Sequence, residues 1–170
     1  MKKKIFFASI AIILVVFISI VLIKYLKQQE YKKSISNISS MNYKELTLKG
    51  VDFYDKGDYN CFIIFNSNCD LCIDEIEDIV DNIESFKNVN FYLVSNQTEE
   101  ELIEYNEDSE FLGIENFTIL YDKNEVFKKF FIAPEVPSIY FYNKKGELLE
   151  FKTGFTEISE IISMSNLKID

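Results

Sequence analysis

The chain has 170 residues, 18 lysines against 28 acids, a formal net charge of −10, and no His, Arg or Trp. Its length accommodates one domain with an appendage and a sizeable core. The missing His excludes Ser–His and Cys–His nucleophile pairs and most zinc enzymes, and the missing Arg removes the bidentate clamp for phosphate or peroxide oxygens. Chemistry is left to Cys, carboxylates, Lys, Tyr and backbone groups, with no metal and no organic cofactor expected.

In chain order, Lys2-Lys3-Lys4 precede an uncharged run, Ile5–Ile23. Its length matches the ~20 apolar residues that a bilayer-spanning helix needs. A cleaved signal peptide requires a shorter apolar region and a small-residue cleavage site, and Val21–Tyr25 offers none. No cysteine lies nearby for lipoprotein processing. The run therefore reads as an uncleaved transmembrane signal anchor, with residues 1–4 as a cytoplasmic basic tail. Lys24, Lys27, Lys32 and Lys33 nearly balance the N-terminal lysines, but so short a tail is readily kept inside. The rest of the chain is then extracytoplasmic, at a cell membrane crossed once.

Residues 24–45 are polar and read as a linker, and residues 46–170 as the domain. From residue 30 onward 13 lysines face 28 acids, so the domain should repel nucleic acid and anionic lipid head groups. Glu45–Leu48 predicts an early edge strand, followed by a turn at Asp55–Asp58. Cys61–Phe65 is a continuous apolar run, as in a strand buried on both faces. Leu71, Ile73, Ile76, Ile79, Val80, Ile83 and Phe86 recur at helical spacing. Phe91–Val94 is the next strand, which makes a strand–helix–strand unit with parallel strands. Thr98 caps a second helix, Phe117–Tyr121 forms a short strand, and Asn124–Phe131 a third helix. Ser138–Tyr142 and Glu147–Phe151, joined by Asn143–Gly146, read as an antiparallel hairpin. Thr156 caps a last helix with Ile158, Ile161 and Ile162 on one face.

The chemistry concentrates in Cys69-Asp70-Leu71-Cys72, where the first apolar strand turns through Asn66-Ser67-Asn68 into its helix. Two thiols at this spacing close a disulfide within one helical turn, and a helix N-terminus favours a thiolate at Cys69. Asp70, Asp74 and Glu75 oppose that thiolate. A poorly stabilised thiolate makes the couple a better reductant. The third cysteine, Cys61, lies in the buried strand and reads as a small core hydrophobe.

The strand–CxxC–helix at 61–86, the added strand and helix at 117–131, Val136-Pro137 opening the hairpin, the turn Asn143-Lys144-Lys145-Gly146-Glu147 and Gly154 before the last helix occur in a meaningful order. Over residues 46–165 the chain resembles the thioredoxin superfamily, and within it the membrane-anchored TlpA-like, redoxin-type thiol-disulfide reductases. The resemblance implies an α/β, thioredoxin-like fold: a central mixed sheet with helices on both faces, preceded by one transmembrane helix. It also implies Cys69 as nucleophile, Cys72 as resolving thiol, and Pro137 as the proline that is cis in this fold and lies against the dithiol. Glu75, three residues after Cys72, matches a glutamate that assists proton transfer in such reductases. On its residues alone it reads equally as one more acid on a wet helix face with Asp74, Glu77 and Asp78. Three positions depart from the pattern. Asn68 replaces an aromatic residue, Glu77 a helix-kinking proline, and Ile63 the acid that thioredoxins bury in this strand.

The expected function is a membrane-tethered extracytoplasmic thiol-disulfide oxidoreductase that reduces disulfides of exported proteins. Its partners are then protein disulfide substrates, the membrane through the N-terminal helix, and a membrane electron-donor protein, with no nucleic acid. The alternative is a redox-inert binding module of the same fold with a structural Cys69–Cys72 disulfide. A peroxidase of the peroxiredoxin kind carries Thr or Ser three residues before its nucleophile and an Arg beside it, whereas this chain has Asn66 and no Arg. Copper delivery calls for a His, and there is none.

Overall fold

The computed structural model describes residues 2–109, 111, 113–132 and 134–166, with side chains from residue 12 onward. It comprises two compact units, Met1–Ser36 and Asn37–Asp170. The first is dominated by one helix, α1 (Lys2–Ser34). Its stretch Ile12–Ser34 has a mean hydropathy of 1.8 and is long and apolar enough to cross a membrane. Ser19 donates its hydroxyl to the Val15 carbonyl at 2.8 Å, so the helix satisfies this polar group internally, as an apolar medium requires. The side chains of Ile5–Ala11, seven of the 19 residues of the expected anchor, lie outside the described residues. The polar residues 24–34 continue the same helix. The domain itself begins at Asn37, not at residue 46: Ile38 is buried and its N–H bonds the Gly146 carbonyl at 2.8 Å.

In the second unit the strands are β1 (Tyr59–Ile64), β2 (Val89–Ser95), β3 (Phe117–Tyr121), β4 (Ser138–Asn143) and β5 (Leu148–Thr153). They form one mixed sheet in the order β3-β2-β1-β4-β5. β1 pairs parallel with β2, and β2 with β3, while β4 runs antiparallel to β1 and β5 to β4. The helices are α2 (Asp70–Asp81), α3 (Glu99–Asp108), α4 (Val126–Phe130) and α5 (Ile158–Ser165). The expected α/β architecture is present.

Side-chain alternation along the strands divides the core into two faces. Cys61, Ile63, Phe91, Leu93, Ile139 and Phe141 point one way and pack with Ile76 and Ile79 of α2 and with Ile161 and Met164 of α5. Phe62, Tyr92, Tyr140 and Tyr142 point the other way, where Phe62 meets Phe127 of α4 at 5.4 Å and Phe131 stacks on Tyr140 at 3.8 Å. Each buried aromatic of this kind contributes ~2–3 kcal/mol of apolar burial.

Three local expectations are corrected. Glu45–Leu48 is no strand: Tyr43–Leu46 is a 3-10 turn and only Thr47 bridges Leu120. The turn seats the Tyr43 ring against Phe62 and Tyr92, at 5.1 and 5.2 Å, a contact an extended strand would forgo. The helix expected to run to Phe86 stops at Asp81 and resumes as a 3-10 turn, Ile83–Phe86. Thr156 does not cap α5, whose N-cap is Glu157 without a side-chain bond. The other turn signals are realised. Thr98 and Glu101 form a capping box on α3, and Asn143 Oδ1 accepts from the Lys145 and Glu147 amides while Gly146 takes φ +78°.

Candidate active site

The chain leaves β1 through Phe65, whose N–H still bonds the Val94 carbonyl at 3.0 Å, and then curls. The Asn66 carbonyl accepts from the Cys69 N–H at 3.0 Å, and Asn66 Oδ1 accepts from the Asn68 N–H at 2.8 Å. This curl delivers Cys69 as the N-cap of α2, in extended backbone conformation. The Cys69 carbonyl already accepts the Cys72 and Ile73 amides, at 2.9 and 3.1 Å. The two cysteines therefore stand one helical turn apart. Cys69 is partly exposed, Cys72 is fully buried, and both are free thiols, as is Cys61.

Burial pushes the Cys72 thiol up to about 12, reinforced by its hydrogen bond with the Cys69 sulfur and by the nearby Glu75, and opposed by the Asn66 backbone N–H. Cys72 is thus a protonated thiol at neutral pH, held behind an accessible sulfur. Cys61, on the sheet face under α2, is raised well above the ordinary thiol range by burial and by Glu75, in keeping with an inert core residue.

Glu75 does not lie on the wet face of α2. It is fully buried, and its Oε1 accepts from the Thr156 N–H at 2.7 Å. Its Oε2 has no hydrogen-bond partner among the described residues. Burial pushes its carboxyl up to about 7, opposed by the Thr156 amide and hydroxyl and aided by Asp78. Ile63, standing where a strand acid was expected, is fully buried. In this chain α2, not β1, supplies the acid behind the dithiol.

The peptide between Val136 and Pro137 is cis. Pro137 is buried, Val136 is 41 % exposed, and the Pro137 carbonyl accepts from the Gly154 N–H at 2.9 Å. A cleft of about 260 Å³ lies at the ends of the parallel strands, lined among others by Asn66, Asp122, Phe127, Pro134 and Val136. The CxxC loop and the residue preceding Pro137 thus share one edge of the sheet.

Two contributors escaped the sequence reading. Gln97 Oε1 accepts from the Ser67 N–H at 2.7 Å and Gln97 Nε2 donates to Ser67 Oγ at 2.9 Å, clamping the loop before the dithiol to the loop after β2. Loops that follow adjacent parallel strands lie side by side at the strands' carboxyl ends, and that rule was the available signal. The second is Thr156, whose amide binds Glu75 instead of starting a helix.

The AhpC/TSA family pattern matches residues 35–151. None of the curated proteins matches the chain by sequence. Among solved structures, StoA from Bacillus subtilis is similar at 18 % identity and a TM-score of 0.56, covering 71 % of this chain and 93 % of that one. A secreted Mycobacterium tuberculosis disulfide oxidoreductase homologous to Escherichia coli DsbE is similar at 18 % identity and 0.54, covering 65 % and 81 %. The mitochondrial 2-Cys peroxiredoxin of Plasmodium falciparum is similar at 17 % identity and 0.54, covering 64 % and 74 %. Because the family match spans more than half of the chain and the fold agrees with it, the chain belongs to the AhpC/TSA family and is a thioredoxin-like oxidoreductase.

Proposed function

We propose that the protein is a membrane-tethered, extracytoplasmic thiol-disulfide oxidoreductase that reduces disulfides of exported proteins. The observation that carries this reading is the asymmetry of the dithiol: a partly exposed Cys69 at a helix N-terminus and a buried, protonated Cys72 one turn behind it. The Cys69 thiolate attacks one sulfur of a substrate disulfide, forming a mixed disulfide and expelling the other substrate sulfur as a thiolate. Cys72 then gives its proton to the Glu75 carboxylate and attacks Cys69 Sγ. The Cys69–Cys72 disulfide forms, the second substrate sulfur leaves, and each substrate sulfur takes up a proton. Two electrons pass from the dithiol to the substrate. Pro137 offers no N–H, and the exposed Val136 beside it leaves its peptide open to an extended substrate segment.

The tether is supported by α1, and the location by the four-residue N-terminal tail, short enough to be kept inside although the lysines on either side of the helix nearly balance. A reductase on that side of a membrane requires an electron donor within the membrane. Peroxide reduction is less well supported, because no Arg is available to hold a peroxide oxygen. The test is Cys72→Ser in intact cells: the variant is expected to accumulate mixed disulfides through Cys69. A variant that captures nothing, with wild-type protein permanently oxidised, would leave the redox-inert binding module as the function. The direction of electron flow is read from the reduction potential, expected to be more negative than about −180 mV.

A further inference from the structure

The contact between Glu75 and Thr156 spans 81 residues and joins the dithiol helix to the turn between β5 and α5. That turn has two ends. At one, the Thr156 N–H is bonded to Glu75 Oε1 at 2.7 Å. The Thr156 hydroxyl bonds the Gly154 carbonyl at 3.3 Å and, together with the amide, favours the ionised form of Glu75. At the other end, the Gly154 N–H holds the Pro137 carbonyl at 2.9 Å. Gly154 sits at φ +80°, a conformation that L side chains rarely adopt, with open space where a Cβ would go. Between the two ends Phe155 is 37 % exposed.

Burying an acid with one satisfied and one orphaned oxygen costs stability, so its presence calls for an explanation. Here the satisfied oxygen is locked by backbone, which fixes the direction of the other. We propose that Thr156 is a positioning residue for Glu75, and that the turn Gly154–Phe155–Thr156 ties this acid to the Pro137 peptide. The acid behind the dithiol and the peptide beside it then move as one body. This rests on the role given to Glu75 above. The groups that face Glu75 are Asp78 and Cys72 on its own helix, Cys61 on β1, and the uncharged Thr156 on the turn.

The experiment uses the reduced full chain in detergent micelles. The carboxyl ¹³C shift of Glu75 is followed against pH, and insulin-disulfide reduction is measured in parallel. Thr156→Val removes a hydroxyl that favours the carboxylate, so the Glu75 midpoint should rise by about one pH unit, with KM for insulin unchanged. Thr156→Ser should keep the wild-type midpoint. Gly154→Ala strains the turn, so it should raise both the midpoint and KM. The proposal is overturned if Thr156→Val leaves the midpoint in place, if Thr156→Ser moves it as far, or if Gly154→Ala raises KM with no change in the midpoint. A wild-type chain that titrates Glu75 as described yet reduces no insulin would refute the reductase reading and leave the positioning result standing. The carboxyl titration needs no turnover.

Discussion

Glu75 shares α2 with Asp70, Asp74, Glu77, Asp78 and Asp81, and only its fully buried position separates it from them. Burial favours the neutral carboxyl and raises it from 4.5 to about 7. The stability gained by keeping it neutral is complete below 4.5 and is lost as pH rises through 7. The resistance of the domain to urea should therefore fall between pH 5 and pH 8, by about 3 kcal/mol in all. Glu75→Gln should flatten that dependence and be the more stable protein at pH 8. An equally steep slope in the Gln variant would assign it to another group. Cys69 and Cys72 differ just as sharply. At pH 7.5 iodoacetamide should modify Cys69 at least ~10-fold faster than Cys72, read by peptide mass spectrometry. Equal rates would contradict the buried, protonated Cys72.

At the scale of elements, α2 begins where it does because the curl at Asn66 hands its first turn to Cys69, and Gln97 holds that curl from outside. Gln97→Ala leaves the Ser67 N–H without its partner. The expected cost is about 1–2 kcal/mol of stability and a several-fold slower reduction of insulin, measured by denaturation and by turbidity. A variant that loses stability but keeps its full rate would confine Gln97 to a structural role. Thr98→Ala removes the α3 capping box at a cost of about 1 kcal/mol and should leave the reduction rate unchanged. The capping box was legible in Thr98-Glu99-Glu100-Glu101, because both its bonds are local. The supposed Thr156 cap had a similar local appearance, but a distant carboxylate took its amide.

For the molecule as a whole, the apolar α1 and the acidic domain divide the chemistry between them. The proposed tether predicts that the full chain resists extraction from membranes by alkaline carbonate. Ile13→Lys combined with Val16→Lys, each charge costing about 2.5–3.5 kcal/mol at a membrane-helix centre, should move it to the soluble fraction. Retention of the double variant in the membrane would point to another mode of attachment. The domain boundary shows the limits of composition. Residues 37–45 are polar enough to read as linker, yet Ile38 is buried and Tyr43 packs on Phe62 and Tyr92. A few apolar side chains dock a segment without leaving a periodic signature.

The order of strands and helices, the hairpin turn at Asn143–Gly146, the long apolar helix and the dithiol at a strand-to-helix turn could all be read from the chain, because each depends on residues within a few positions of one another. Tertiary structure alone decided that Glu75 is a buried acid, that the Thr156 amide bonds it, and that Gln97 clamps the loop before Cys69. Those bonds join residues 81 and 30 positions apart. Whether a carboxylate on an amphipathic helix meets water or a backbone amide is determined by what folds over it, and no local pattern in the sequence carries that information.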